Sequence, residues 1–124
     1  MKELTKAEEQ IMQILWEIEK GFVKDIIVRM DEPKPAYNTV STIVRILETK
    51  GFVGHAEYGK SHRYYPLINK KDYSRERMNE MVMNYFGNSA SQMVSFFAKN
   101  RKMDVKEADE IIKMLQDLKE KGDE

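Results

Sequence analysis

Ala36-Tyr37-Asn38-Thr39-Val40-Ser41-Thr42-Ile43-Val44-Arg45-Ile46-Leu47-Glu48-Thr49-Lys50-Gly51 is the stretch around which this chain is organised. Read as a helix at about 100° per residue, it gathers Ala36, Val40, Ile43, Val44 and Leu47 on one side. Asn38, Ser41, Thr42, Arg45 and Thr49 fall almost opposite. The first face asks for a hydrophobic core. The second carries short hydroxyl and amide side chains and a single Arg, where a solvated helix would carry Lys/Glu pairs. A face of that kind can come close to base edges in a DNA major groove. Gly51 ends the helix and an alternating stretch with a Gly-Lys turn follows, so the segment reads as a recognition helix and a wing.

Working back toward the N-terminus, residues 31–35 read Asp-Glu-Pro-Lys-Pro and break the chain, since Pro removes a donor and turns the preceding residue away from helix. Before the break, Val23, Ile26, Ile27 and Met30 predict a short helix. Earlier still, Ala7, Ile11, Ile14, Leu15 and Ile18 recur at helical spacing behind a Thr5/Glu8 capping box, and Lys20-Gly21 is the expected stop. Met12 and Trp16 widen the apolar stripe, and Trp16 is read as core. A short helix, a brief connection and a helix with a polar outer face make a helix-turn-helix.

After Gly51, residues 52–58 predict a strand, Gly59-Lys60-Ser61 a turn and residues 62–66 the return strand. Lys60 at the tip and Arg63 beside it are in position to reach phosphate; the plainer role for such a hairpin is to stabilise the fold, with Lys60 keeping an edge soluble. Beyond Pro66 the texture changes to three amphipathic helical segments with no Pro. Asn69, the Ser89/Gln92 pair and the Asp104/Glu107 pair mark their starts. The first carries Met78, Val82, Tyr85 and Phe86 on one face, and the second carries Met93 and Phe97. The third carries Ile111, Ile112, Leu115 and Leu118, and the polar tail from Lys119 is expected to fray. Three thin helices bury too little surface alone. A second copy of the segment would cover the exposed stripes, so the reading is a winged-helix DNA-binding domain over residues 1–66 and a helical homodimerisation region over 67–124. The alternative is that 67–124 fold back onto 1–66 in a monomer.

Composition sets outer limits. There is no Cys, which excludes disulfides and thiolate metal sites, and no apolar run approaches membrane-span length. Without a signal-peptide pattern the expected location is cytoplasmic. The 21 basic and 21 acidic residues cancel, but residues 37–66 hold Arg45, Lys50, Lys60 and Arg63 against Glu48 and Glu57. A local excess of that kind steers toward phosphate. No catalytic constellation stands out, so the chain is read as no enzyme and needing no cofactor. His55 and His62 lie in the wing with no Cys and no acidic cluster close by, and no metal site is expected there.

Together, Leu4-Thr5-x-Ala7-Glu8 leading to Ile11-Met12 and Leu15-Trp16, Tyr37-Asn38-Thr39-Val40-x-Thr42, Leu47-x-x-Lys50-Gly51-Phe52 and Tyr64-Tyr65-Pro66 resemble the penicillinase repressor family, of BlaI/MecI type with copper-responsive CopY-type relatives. The resemblance is strong over the first 66 residues and lies more in layout than in residues beyond them. It implies a winged-helix dimer that represses resistance genes from an inverted-repeat operator. It also implies relief by cleavage in the dimerisation region, triggered by a membrane sensor protease that detects β-lactam. Ile46 stands where relatives tend to be basic. Phe96-Phe97 aligns with the family's Asn-Phe cleavage bond, and the Cys cluster of the copper-responsive relatives is lacking.

The expectation is therefore a mainly α fold with a small β-hairpin that binds double-stranded DNA. Asn38, Thr39, Ser41, Thr42 and Arg45 face the groove, and Lys50, Lys60 and Arg63 face phosphates. A winged-helix module that binds protein in place of DNA is the alternative, and zero net charge is its best support.

Overall fold

A computed structural model describes residues 2–122. In these residues the order is α1 (Lys6–Ile18), α2 (Val23–Val28), α3 (Tyr37–Thr49), β1 (Val53–Tyr58), β2 (Ser61–Pro66), α4 (Lys70–Tyr85), α5 (Ala90–Asn100) and α6 (Val105–Gly122). The two strands pair antiparallel, from Val53 opposite Pro66 to Tyr58 opposite Ser61. The chain forms two compact units, Met1–Met78 and Asn79–Glu124.

In the first unit, α1 starts on the capping box expected from sequence. The Glu8 N–H donates to Thr5 Oγ1 at 3.2 Å and the Thr5 N–H to Glu8 Oε1 at 2.8 Å. Ile11, Met12 and Leu15 from α1, Ile26 from α2, and Val40, Val44 and Leu47 from α3 close the core with Phe52 and Val53. Burying a large apolar side chain of this kind stabilises by about 1.5–3 kcal/mol, so the helical spacing read from sequence carries most of the unit's driving force. Trp16 packs against this core and its Nε1–H donates to the Ile68 carbonyl at 2.8 Å.

The sequence changes texture at Pro66, yet the first unit continues into α4. Tyr73 is the reason. Its ring centroid lies 5.4 Å from that of Trp16 and 5.9 Å from that of Phe52, and its hydroxyl donates to Glu9 Oε2 at 2.8 Å.

Three local expectations need correction. Ala7, read as part of the α1 stripe, is exposed. Ala36, read on the inner face of α3, is its exposed N-cap. Gly21 is not the residue that stops α1: the chain turns at Glu19, with φ 72°, and Gly21 exchanges backbone hydrogen bonds of 2.9 and 2.8 Å with Tyr64 of β2. A Cβ at Gly21 would stand 2.7 Å from Ile18 Cδ1 and 3.2 Å from Asp25 Cβ, so a larger residue there would displace the end of the Ile18 side chain.

In the second unit, Gly87 and Asn88 both take positive φ after α4. The Gln92 N–H donates to Ser89 Oγ at 3.1 Å to open α5, and the Glu107 N–H donates to Asp104 Oδ1 at 2.7 Å to open α6. The tail expected to fray from Lys119 is helical through Gly122; Asp123 and Glu124 lie outside the described residues. No described residue of α5 or α6 is buried, although both helices are amphipathic.

Candidate nucleic-acid interface

The interface begins with how α3 is held. Val40, Val44 and Leu47 have no exposure, which fixes the helix by its inner face and leaves Asn38, Thr39, Thr42 and Arg45 exposed. The hydroxyls are turned along the helix: Thr42 Oγ1 donates to the Asn38 carbonyl at 2.9 Å and Thr49 Oγ1 to the Arg45 carbonyl at 3.1 Å. Each hydroxyl hydrogen is thereby used, and the oxygen keeps acceptor capacity toward an incoming donor. Ile46, 43% exposed, adds an apolar surface beside Arg45.

Two residues expected on the contact surface are placed differently. Ser41 is only 8% exposed, because the turn of the helix brings it against the core edge. Its Oγ accepts from Arg45 Nη2 at 3.2 Å, so Ser41 orients the guanidinium from behind. Lys50, expected at a phosphate, points into the fold. Its Nζ lies 2.8 Å from Glu8 Oε1 and donates to the Glu3 carbonyl at 3.2 Å. Burial pushes the Glu8 carboxyl up, but the Lys50 and Thr5 hydrogen bonds and the Lys50 charge outweigh it, and the group titrates below its ordinary value. The other Glu8 oxygen is buried with no hydrogen-bond partner, so the acid leans heavily on Lys50.

The wing carries Lys60 in its exposed Gly59-Lys60 turn. Arg63 sits one turn of the ladder away, opposite Ala56. Its Nη2 donates to the Tyr58 hydroxyl at 2.5 Å and its guanidinium carbon lies 4.5 Å from the Tyr58 ring centroid. Stacking on Tyr58 restrains the arginine, and the guanidinium has further N–H donors beyond the one used.

The sequence also gave no sign of how the wing is joined to α3. His55 Nδ1 and Glu48 Oε2 lie 2.5 Å apart, tying β1 to the last turn of the helix. His55 and His62 stack at 4.1 Å with their planes 5° apart, above Tyr64. Burial pushes the Tyr64 hydroxyl up, with Glu48 adding to the shift. The lack of an acidic neighbour read from sequence is corrected by folding, which brings Glu57 beside the histidines and Glu48 behind them.

Residues 4–117 match the model of the penicillinase repressor family. The chain belongs to the penicillinase repressor family. The penicillinase repressor of Bacillus licheniformis is 21% identical over 123 residues, covering 98% of this chain and 96% of the relative. The penicillinase repressor of Staphylococcus aureus is 23% identical over 120 residues, covering 96% and 95%. The solution structure of the DNA binding domain of the repressor BlaI aligns with a TM-score of 0.50 and 25% identity, over 59% of this chain and 94% of that one. Penicillinase repressors are transcriptional repressors and not enzymes. In this penicillinase repressor family member, no helix among the described residues is long and apolar enough to cross a membrane.

Proposed function

We propose that this repressor is a cytoplasmic homodimer that binds an inverted-repeat operator through two copies of α3. Asn38, Thr39, Thr42 and Arg45 read base edges, Ser41 holds Arg45 in position, and Lys60 and Arg63 contact phosphates. The observation that carries the reading is the exposed polar row on α3, backed by a fully buried inner face and followed directly by the hairpin. The solved structure of the DNA binding domain of the repressor BlaI, which aligns over 59% of this chain, supports the same role here.

Dimerisation rests on the second unit. Ile112, Leu115 and Leu118 of α6 are 53%, 52% and 59% exposed, and a cavity of about 510 Å³ lined by Met81, Phe86, Met93, Phe97 and Ile111, among others, stands open. Covering those side chains with a second copy gains the hydrophobic free energy that a single chain leaves unused. Membership of the penicillinase repressor family supports controlled genes of the β-lactam-resistance type. Relief comes through proteolysis of the second unit by a membrane sensor protease or one downstream of it, with the exposed Phe96-Phe97 bond in α5 as the cleavage region.

A salt titration on a random duplex tests the DNA-binding core of this proposal. Affinity should fall steeply between about 50 and 200 mM salt as phosphate contacts release counterions. No measurable duplex binding at low salt would overturn it and favour a protein-binding module.

A further inference from the structure

We propose that the wing carries a binding site for one divalent transition-metal ion of the zinc class, with His55, Glu57 and His62 as ligands. One potential ligand atom from each of these three residues lies within 4.8 Å of the other two. The register explains the convergence. His55 and Glu57 are two apart on β1 and share a face, and His62 of β2 stands directly opposite Glu57. The two imidazoles are stacked at 4.1 Å, which holds the rings of both strands side by side.

A second observation points to a ligand. Glu48 Oε2 stands 2.5 Å from His55 Nδ1, the carboxylate–histidine contact that fixes the tautomer and orientation of a metal-bound imidazole. With Nδ1–H directed to Glu48, Nε2 of His55 holds the free lone pair. Glu57 and His62 are both exposed and can swing to close the site. Tetrahedral zinc, with Zn–N bonds of about 2.0–2.1 Å, lies near the plane of each imidazole it binds, so binding turns the exposed His62 ring out of the stack toward Nε2 of His55. Two imidazoles and one carboxylate are borderline ligands that suit zinc over calcium or magnesium, and water completes the coordination.

Bound metal would tie both wing strands to the end of α3 through Glu48. Its effect on operator binding rests on the proposed DNA-binding role, whereas the site itself is tested on DNA-free protein. His55 and His62 are the chain's two histidines, which makes the readout direct. Untagged protein is titrated with zinc while the imidazole nitrogens are followed by long-range ¹H–¹⁵N correlation, with calorimetry for stoichiometry. The expected result is one zinc per chain, both imidazoles shifting together, no response to magnesium, and at least about tenfold weaker binding in His62→Ala. His62 is exposed, so that variant keeps the fold. Histidine signals unmoved by stoichiometric zinc, or a His62→Ala variant that binds as tightly as the parent, would overturn the site.

Discussion

Lys50, at the C-terminal end of α3, closes onto Glu8 near the start of α1, with Nζ 2.8 Å from Oε1 across 42 residues of chain. The Glu8 side chain is 4% exposed and that of Lys50 23%, so this ion pair joins the end of α3 to the start of α1, which anchors the core. Removing one partner strands the other. Lys50→Met should destabilise by about 1–3 kcal/mol, below the about 3–5 of a fully buried pair because the ammonium keeps some water. Urea denaturation of Lys50→Met, Glu8→Gln and the double variant checks it. The double variant should be less destabilised than the sum of the singles. If Lys50→Met unfolds at the parent's midpoint, the pair does not hold the helices together.

The same pair sets an acid limit. Glu8 titrates below its ordinary value when folded, so its contribution is complete above the unfolded-state value of about 4.5. That contribution is lost as pH falls through the folded-state value. Thermal melts from neutral pH downward should therefore show a fall in midpoint starting below about pH 4.5. Glu8→Gln should flatten part of that fall, and an identical pH profile in the variant would assign the acid sensitivity to other carboxylates.

Arg45 is the charged side chain on the middle of the exposed α3 face, and Ser41 props it from behind at 3.2 Å. Arg45→Ala should cost about 1–3 kcal/mol in operator binding and relax discrimination at one base. Ser41→Ala should reproduce a smaller part of that loss, since it frees the guanidinium without deleting it. Anisotropy titrations on operator and random duplex separate the two effects. Equal losses on both duplexes would make Arg45 a phosphate contact.

Much of the fold that presents the candidate interface was legible in the sequence, and the exceptions share a physical cause. Helical spacing placed Val40, Val44 and Leu47 correctly because burial on one face is a local property. The caps at Thr5, Asn69, Ser89 and Asp104 were readable because each is a contact within three residues. Ser41 was misplaced because it lies at the border of the two faces, where a rotation of part of a turn decides burial. Lys50, Gly21 and the Glu48–His55 contact depend on partners distant in sequence or on the angle between elements, and periodicity carries no trace of either. Tyr73 was missed for the same reason: it extends the first unit by packing on Trp16 and Phe52 from a helix whose own apolar residues form no single stripe.

Leu115 tests the assembly. It is exposed in the single chain, so Leu115→Glu should leave helix content intact while shifting sedimentation equilibrium from twice the chain mass toward 14.6 kDa. A parent protein that sediments at 14.6 kDa at micromolar concentration would remove the dimer.

Specific recognition by a symmetric pair of α3 helices is best tested by selecting bound sequences from a random duplex pool with the full chain. The enriched sequences should form an inverted repeat with half-sites about 10 base pairs apart, or a multiple of that spacing. Enrichment should also depend on Arg45. A pool that stays random after repeated rounds, or that converges on a single unpaired half-site, would contradict a dimer reading an operator through α3.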